Sequence, residues 1–77
     1  MNDLARHARA LIFKRLSSAA QCVEIEIEEG QVRLSGQLPS FYQKQLAQEA
    51  VRGLPHVKAI RNEIRVQYAD TKYTMGT

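Results

Sequence analysis

The chain has 77 residues, 44% of them hydrophobic and 25% charged, which is enough for one small globular domain and too apolar for a disordered segment. A domain of this size buries only about 60% of its unfolded surface, and the single cysteine, Cys22, excludes an internal disulfide to reinforce it. No apolar run approaches the roughly 20 residues that span a bilayer, and a net charge of +3 is compatible with an anionic lipid or nucleic acid partner without requiring either.

The first helix is expected over residues 3 to 16. Leu4, Ala5, Ala8, Leu11, Ile12 and Leu16 recur at spacings of three and four, the stripe of a 3.6-residue period. Asn2 or Asp3 is expected to cap its start, Lys14 and Arg15 complement its negative end, and Ser17-Ser18 breaks it. Arg6, Arg9, Lys14 and Arg15 make this segment basic, with Asp3 as its one acid. The segment has neither the continuous apolar stretch nor the small-residue cleavage site of a secretory signal, and no lipidation box is present. Read as it stands, the chain is expected in the cytoplasm; as a fragment of a longer exported protein, it is expected in the periplasm or envelope.

Residues 22 to 38 are expected to form a β-hairpin. Val23, Ile25 and Ile27 alternate with Glu24, Glu26 and Glu28, and beyond Glu29-Gly30, Val32 and Leu34 alternate with Arg33, Ser35 and Gln37. A two-residue turn at Glu29-Gly30 sets Ile27 opposite Val32, Ile25 opposite Leu34 and Val23 opposite Gly36, with Glu26 facing Arg33 on the other side. Glutamate is a poor residue at positive φ, so a bulged turn with Gly30 in the left-handed region is the alternative. Gly36 is read as allowing close helix packing over the sheet, and Cys22 as a small buried thiol.

Pro39 stops the strand, and Ser40-x-x-Gln43 fits a capping box that opens a second helix. Its buried stripe is expected to be Tyr42, Leu46, Ala47, Ala50, Val51 and Leu54, ending at Gly53 and Pro55. Phe41 then points away from the stripe. A third strand is expected over 57 to 68, with Ile60, Ile64, Val66 and Tyr68 on one parity and Arg61, Glu63, Arg65 and Gln67 on the other. Asn62 shares the inward parity and must be hydrogen-bonded, which ties it to a loop or backbone end. The order is α+β, αββαβ: two helices on one face of a three-stranded mixed sheet, with the third strand parallel to the second after a helical crossover. Residues 1 to 68 make one domain, and 69 to 77 read as a disordered tail.

The segment VEIEIEEGQVRLSGQLPSFYQKQLAQEAVRGLPHVKAIRNEIRV, residues 23 to 66, resembles a BON domain, the bacterial osmotic-stress and nodulation domain. The resemblance lies in an alternating strand, a glycine turn, V-x-L-S-G, a helix with A-x-x-A, and V-x-x-I-x-N-x-I-x-V, taken in that order. It implies a non-enzymatic module credited with phospholipid binding and found in envelope-maintenance and stress proteins. The family usually has glycine before the valine of the last strand, where this chain has His56. If that loop needs a positive φ, a residue other than glycine costs about 1 kcal/mol or more.

The expected function is weak, peripheral binding of anionic phospholipid, aided by self-association. Phe41, Tyr42 and Lys44 are the candidate lipid-binding residues, with Arg52 in support. Phe41 has a second reading, as a residue folded back over Pro39 or Leu38 or covering the sheet rim. The alternative function is a protein–protein module using the polar sheet face and strand edge. The acidic row Glu24, Glu26 and Glu28 stands beside Arg33, Arg61 and Arg65, so cross-strand pairing is expected there rather than a metal site. No nucleophile–base set, cofactor motif or metal spacing is present, His7, Cys22 and His56 being scattered. Neither is there a G-x-x-G loop or an aromatic pair on a sheet face, so neither catalysis, a cofactor nor nucleic acid is expected.

Overall fold

The computed structural model describes residues 3–67. Helix α1 (Asp3–Leu16) leads through a short 3-10 segment (Ser17–Cys22) into strands β1 (Val23–Glu28) and β2 (Gln31–Leu38). Helix α2 (Phe41–Val51) follows, and then two short strands in line, β3 (Ala59–Asn62) and β4 (Arg65–Val66). Strand β2 is central, antiparallel to β1 and parallel to both β3 and β4. This is the expected α+β arrangement of two helices on a mixed sheet.

The stripe of α1 buries Ala8, Ile12 and Leu16, and α1 lies against α2 as well as β1. Of its expected caps, Asn2 is outside the described residues and Asp3 is the first helical residue. The helix stops where Ser17 takes φ 55°, a left-handed conformation that an L-residue cannot propagate as helix. The 3-10 segment after it was not legible in the sequence. Arg9 clasps it, its guanidinium donating to the carbonyls of Ala20 (3.3 Å) and Val23 (2.8 Å).

The hairpin register is the expected one, with Val23 opposite Gly36, Ile25 opposite Leu34, Glu26 opposite Arg33 and Ile27 opposite Val32. Glu29 (φ 51°) and Gly30 (φ 83°) both sit at positive φ, the pattern of a two-residue type I′ turn. The turn's twist matches that of the strands, and Glu29 bears the strain of the match.

Gly36 has a different role from the expected one. Its φ is 118°, and a Cβ there would lie 2.0 Å from the carbonyl oxygen of Cys22. The 3-10 segment, rather than a helix packed over the sheet, is what leaves it no room for a side chain. Cys22 itself is exposed, not buried as expected, because its carbonyl rather than its thiol turns toward β2.

The third strand is interrupted at 63–64, opposite Ser35 and Gly36, where β2 leaves the regular extended conformation. The register survives the gap: Leu34 pairs with Asn62 before it and Gln37 with Arg65 after it, and the Glu63 and Gln67 amides donate to Leu34 (2.8 Å) and Leu38 (2.9 Å). Ile64 stays in the core with Ile12, Val32, Leu34, Leu38 and Val51. Tyr68 and the tail at 69–77 lie outside the described residues.

The loop from α2 to β3 is pinned to the hairpin turn, since the Lys58 (2.7 Å) and Ala59 (3.3 Å) amides both donate to the Gly30 carbonyl. Within that loop His56 takes φ 63°. The loop therefore does require the left-handed region at this position.

Candidate functional site

The opening of α2 is built by Pro39, which ends the β2 ladder, and Ser40, whose extended backbone (φ −146°, ψ 154°) and hydroxyl cap the helix. The Ser40 Oγ accepts from the Gln43 amide at 3.1 Å. The other half of the expected capping box is missing: the Gln43 Oε1 is buried and has no hydrogen-bond partner among the described residues.

Gln43 also explains why the expected stripe was wrong at Tyr42. The inward line of α2 runs through Ala47, Ala50 and Val51. Carried back by one turn, four residues from Ala47, it reaches Gln43. Phe41 and Tyr42 therefore flank that line and both project outward, 60% and 70% exposed. Tyr42 is not a core residue, and Phe41 does not fold back into cover.

Lys44 is half-buried in the same turn. Its carbonyl accepts from the Asn62 side-chain amide (3.0 Å), which also donates to Gln48 Oε1 (3.1 Å), while Asn62 Oδ1 accepts from the Ile64 amide (3.3 Å). Asn62 thus fastens the third strand to α2, the tying role expected of it. Phe41 and Lys44 share a shallow cleft of about 160 Å³ with Asn62. Arg52 is elsewhere. It lies just past the far end of the 11-residue helix, about 16 Å away at a rise of about 1.5 Å per residue, and its guanidinium approaches Glu49 at 3.5 Å.

Phe13 was not singled out in the sequence, yet it is 58% exposed. The signal was available, because Phe13 falls off the stripe of α1 and is followed by Lys14 and Arg15. The last turn of α1 leads to the start of β1, and β1 starts opposite Gly36, shortly before α2. The C-terminal turn of α1, with exposed Phe13 and Lys14 and Arg15 after it, is thus connected through β1 and β2 to the opening turn of α2.

The opposite face of the sheet is wet and charged. Glu26 pairs with Arg33 across the hairpin, and that hydrogen bond, reinforced by the Glu26 charge, holds the Arg33 pKa above its ordinary value. Arg61 pairs with Glu63 (3.1 Å) along its own strand rather than across the sheet. Among the described residues, no three His, Cys, Asp or Glu side chains converge on a point where a metal ion could sit. No helix among them is long and apolar enough to cross a membrane.

The frame is that of a small α+β domain with two exposed rings at the opening of α2. The sequence pattern of the BON domain family matches residues 2–68, and the chain belongs to that family. BON domains are binding modules for phospholipid membranes or proteins, not catalysts. No curated protein matches the chain.

Proposed function

We propose that this domain docks weakly and peripherally on anionic phospholipid surfaces through Phe41, Tyr42 and Lys44, with Phe13, Lys14 and Arg15 of α1 in support. The observation that carries the reading is the exposure of two adjacent rings, Phe41 (60%) and Tyr42 (70%), on the opening turn of a helix with a lysine in the same turn. An aromatic ring that enters an interface contributes roughly 2–3 kcal/mol, and each neighbouring cation about 1 kcal/mol at an anionic surface. A sum on the order of 5 kcal/mol corresponds to a dissociation constant near millimolar. Useful residence on a membrane then requires avidity, through self-association or a linked second module.

The test is co-sedimentation with phosphatidylglycerol-containing and neutral vesicles, using the chain tethered as a dimer. Binding selective for the anionic vesicles is expected, with a loss of at least about 30-fold in Phe41→Ala. Charge reversal of Arg61 and Arg65 on the sheet face is expected to leave it unchanged. Absence of vesicle binding by the dimer sinks the membrane reading. Loss on reversal of Arg61 and Arg65 favours the alternative, a protein-binding sheet face, for which the exposed charged row Glu24, Glu26, Arg33, Arg61 and Arg65 is the supporting feature.

A further inference from the structure

At the other end of α2 the chain forms a cavity of about 450 Å³ between the end of the helix and the start of β3. Its charged walls are Arg52, His56 and Lys58, its remaining polar group is Gln48, and Leu54 and Ile60 lie among its apolar walls. No carboxylate lines it. We infer that this cavity binds a phosphomonoester group, with Arg52, His56 and Lys58 converging on the dianion and Leu54 and Ile60 receiving a small apolar body attached to it.

Four observations support this assignment. The volume lies in the range of about 300–1,000 Å³ typical of small-molecule sites. Two permanent cations, Lys58 and Arg52 (the latter also 3.5 Å from Glu49), and an imidazole around one space favour a compact anion, and a charge-assisted hydrogen bond is roughly twice as strong as a neutral one. The backbone that carries two of these groups is held in place. The loop bearing His56 and Lys58 is anchored by the bonds from Lys58 and Ala59 to the Gly30 carbonyl, and the stem of Lys58 passes over Gly30, its Cγ 3.0 Å from where a Cβ would stand. Lastly, His56 occupies φ 63°, a conformation that glycine would adopt without strain, so the chain sustains a local cost to keep an imidazole on this wall.

The negative pole of α2 lies at this end of the helix, so the basic side chains on the wall must outweigh it for an anion to bind. The carbonyls of Gln48, Ala50 and Val51 already accept from the Arg52 (3.2 Å), Gly53 (3.4 Å) and Leu54 (3.1 Å) amides. Arg52 on its wall lies about 16 Å along α2 from Phe41, at a rise of about 1.5 Å per residue, while Gln48 lines both this space and the cleft beside Phe41; the assignment does not rest on the membrane reading.

The phosphomonoester could be a soluble molecule or the headgroup of phosphatidic acid, and two experimental arms separate them. In the first, phenyl phosphate and inorganic phosphate are titrated against the chain while backbone amide shifts are followed. In the second, vesicles containing phosphatidic acid are compared with vesicles containing phosphatidylglycerol, whose phosphate is a diester. Shifts confined to residues 48–60, with phenyl phosphate binding more tightly than phosphate, are expected if the ligand is soluble. A preference for phosphatidic acid over phosphatidylglycerol is expected if it is a headgroup. In either arm His56→Gly and Lys58→Gln are each expected to weaken binding by about tenfold, while Phe41→Ala leaves the phenyl phosphate titration unchanged. His56→Gly relieves backbone strain, and an unchanged urea midpoint confirms that the variant is folded when its binding is lost. Shifts scattered over the basic residues of α1, affinities indifferent to both substitutions, or no response in either arm would overturn the assignment.

Discussion

A Cβ on Gly36 would lie 2.0 Å from the Cys22 carbonyl oxygen, on a backbone held at φ 118°. Two costs coincide there, about 1–3 kcal/mol for the left-handed conformation and about 1–3 kcal/mol for forcing atoms into a packed region. Gly36→Ala is therefore expected to lower the unfolding free energy by about 2–6 kcal/mol, read from the urea midpoint at unchanged slope. A loss below about 1 kcal/mol would mean that β2 reshapes freely at this point. Residue-scale features of this kind divide in legibility. That Gly36 faces Val23 followed from the alternation alone, but its reason for being glycine did not, because the 3-10 segment that crowds it has no periodic signature. Tyr42 misled for a related reason. A helical stripe read from apolar residues alone does not admit Gln43 as an inward position, yet Gln43 takes that position.

Among the elements, the hairpin is the one in which every local preference agrees except one. Its apolar residues fall on one face, its register follows, and only Glu29, at φ 51°, contradicts the turn it occupies. Asparagine ahead of glycine suits a type I′ turn, so Glu29→Asn is expected to stabilise the domain by about 0.5–1 kcal/mol. A rise in melting temperature with the Glu26–Arg33 side of the sheet unchanged in amide shifts would support this, and a fall would show that Glu29 holds the turn by a contact of its own. The third strand shows the reverse situation. Its sequence alternates from Ile60 to Val66 with Asn62 as the one polar residue on the inward parity, but β2 departs from the extended conformation at Gly36, and the partner strand breaks into β3 and β4 opposite that point. A strand's continuity belongs to the pair and not to either sequence alone.

For the molecule as a whole the governing fact is a small core. Ile12, Val32, Leu34, Leu38, Val51 and Ile64 meet between the helices and the sheet, each 0–1% exposed. At about 0.05–0.15 kcal/mol per residue, a chain of 77 residues has a stability on the order of 4–11 kcal/mol. Truncating a buried leucine costs about 2–5 kcal/mol, so Leu34→Ala is expected to remove a large share of it and leave a detectable unfolded fraction at physiological temperature. Urea unfolding followed by circular dichroism measures this; a cost below about 1 kcal/mol would mean the sheet centre is not the core. The same smallness bears on function. A domain with little interior presents most of its groups outward, and here they sort by position, with aromatics and cations at the start of α2, a cation-lined cavity at its end, and ion pairs on the free sheet face.

The sequence by itself determined the order of the main elements, the α1 boundaries, the hairpin register and the capping serine, and it led to the family. All of these rest on periodicity or on single-residue backbone preferences, which act over a few neighbouring positions. Only the tertiary structure decided that Tyr42 faces outward, that Cys22 is exposed, that Arg9 clasps the 3-10 segment, that the third strand is broken, and that Arg52, His56 and Lys58 surround one space. Each of these depends on which surfaces meet across the fold, and neighbouring residues in the chain carry no record of that.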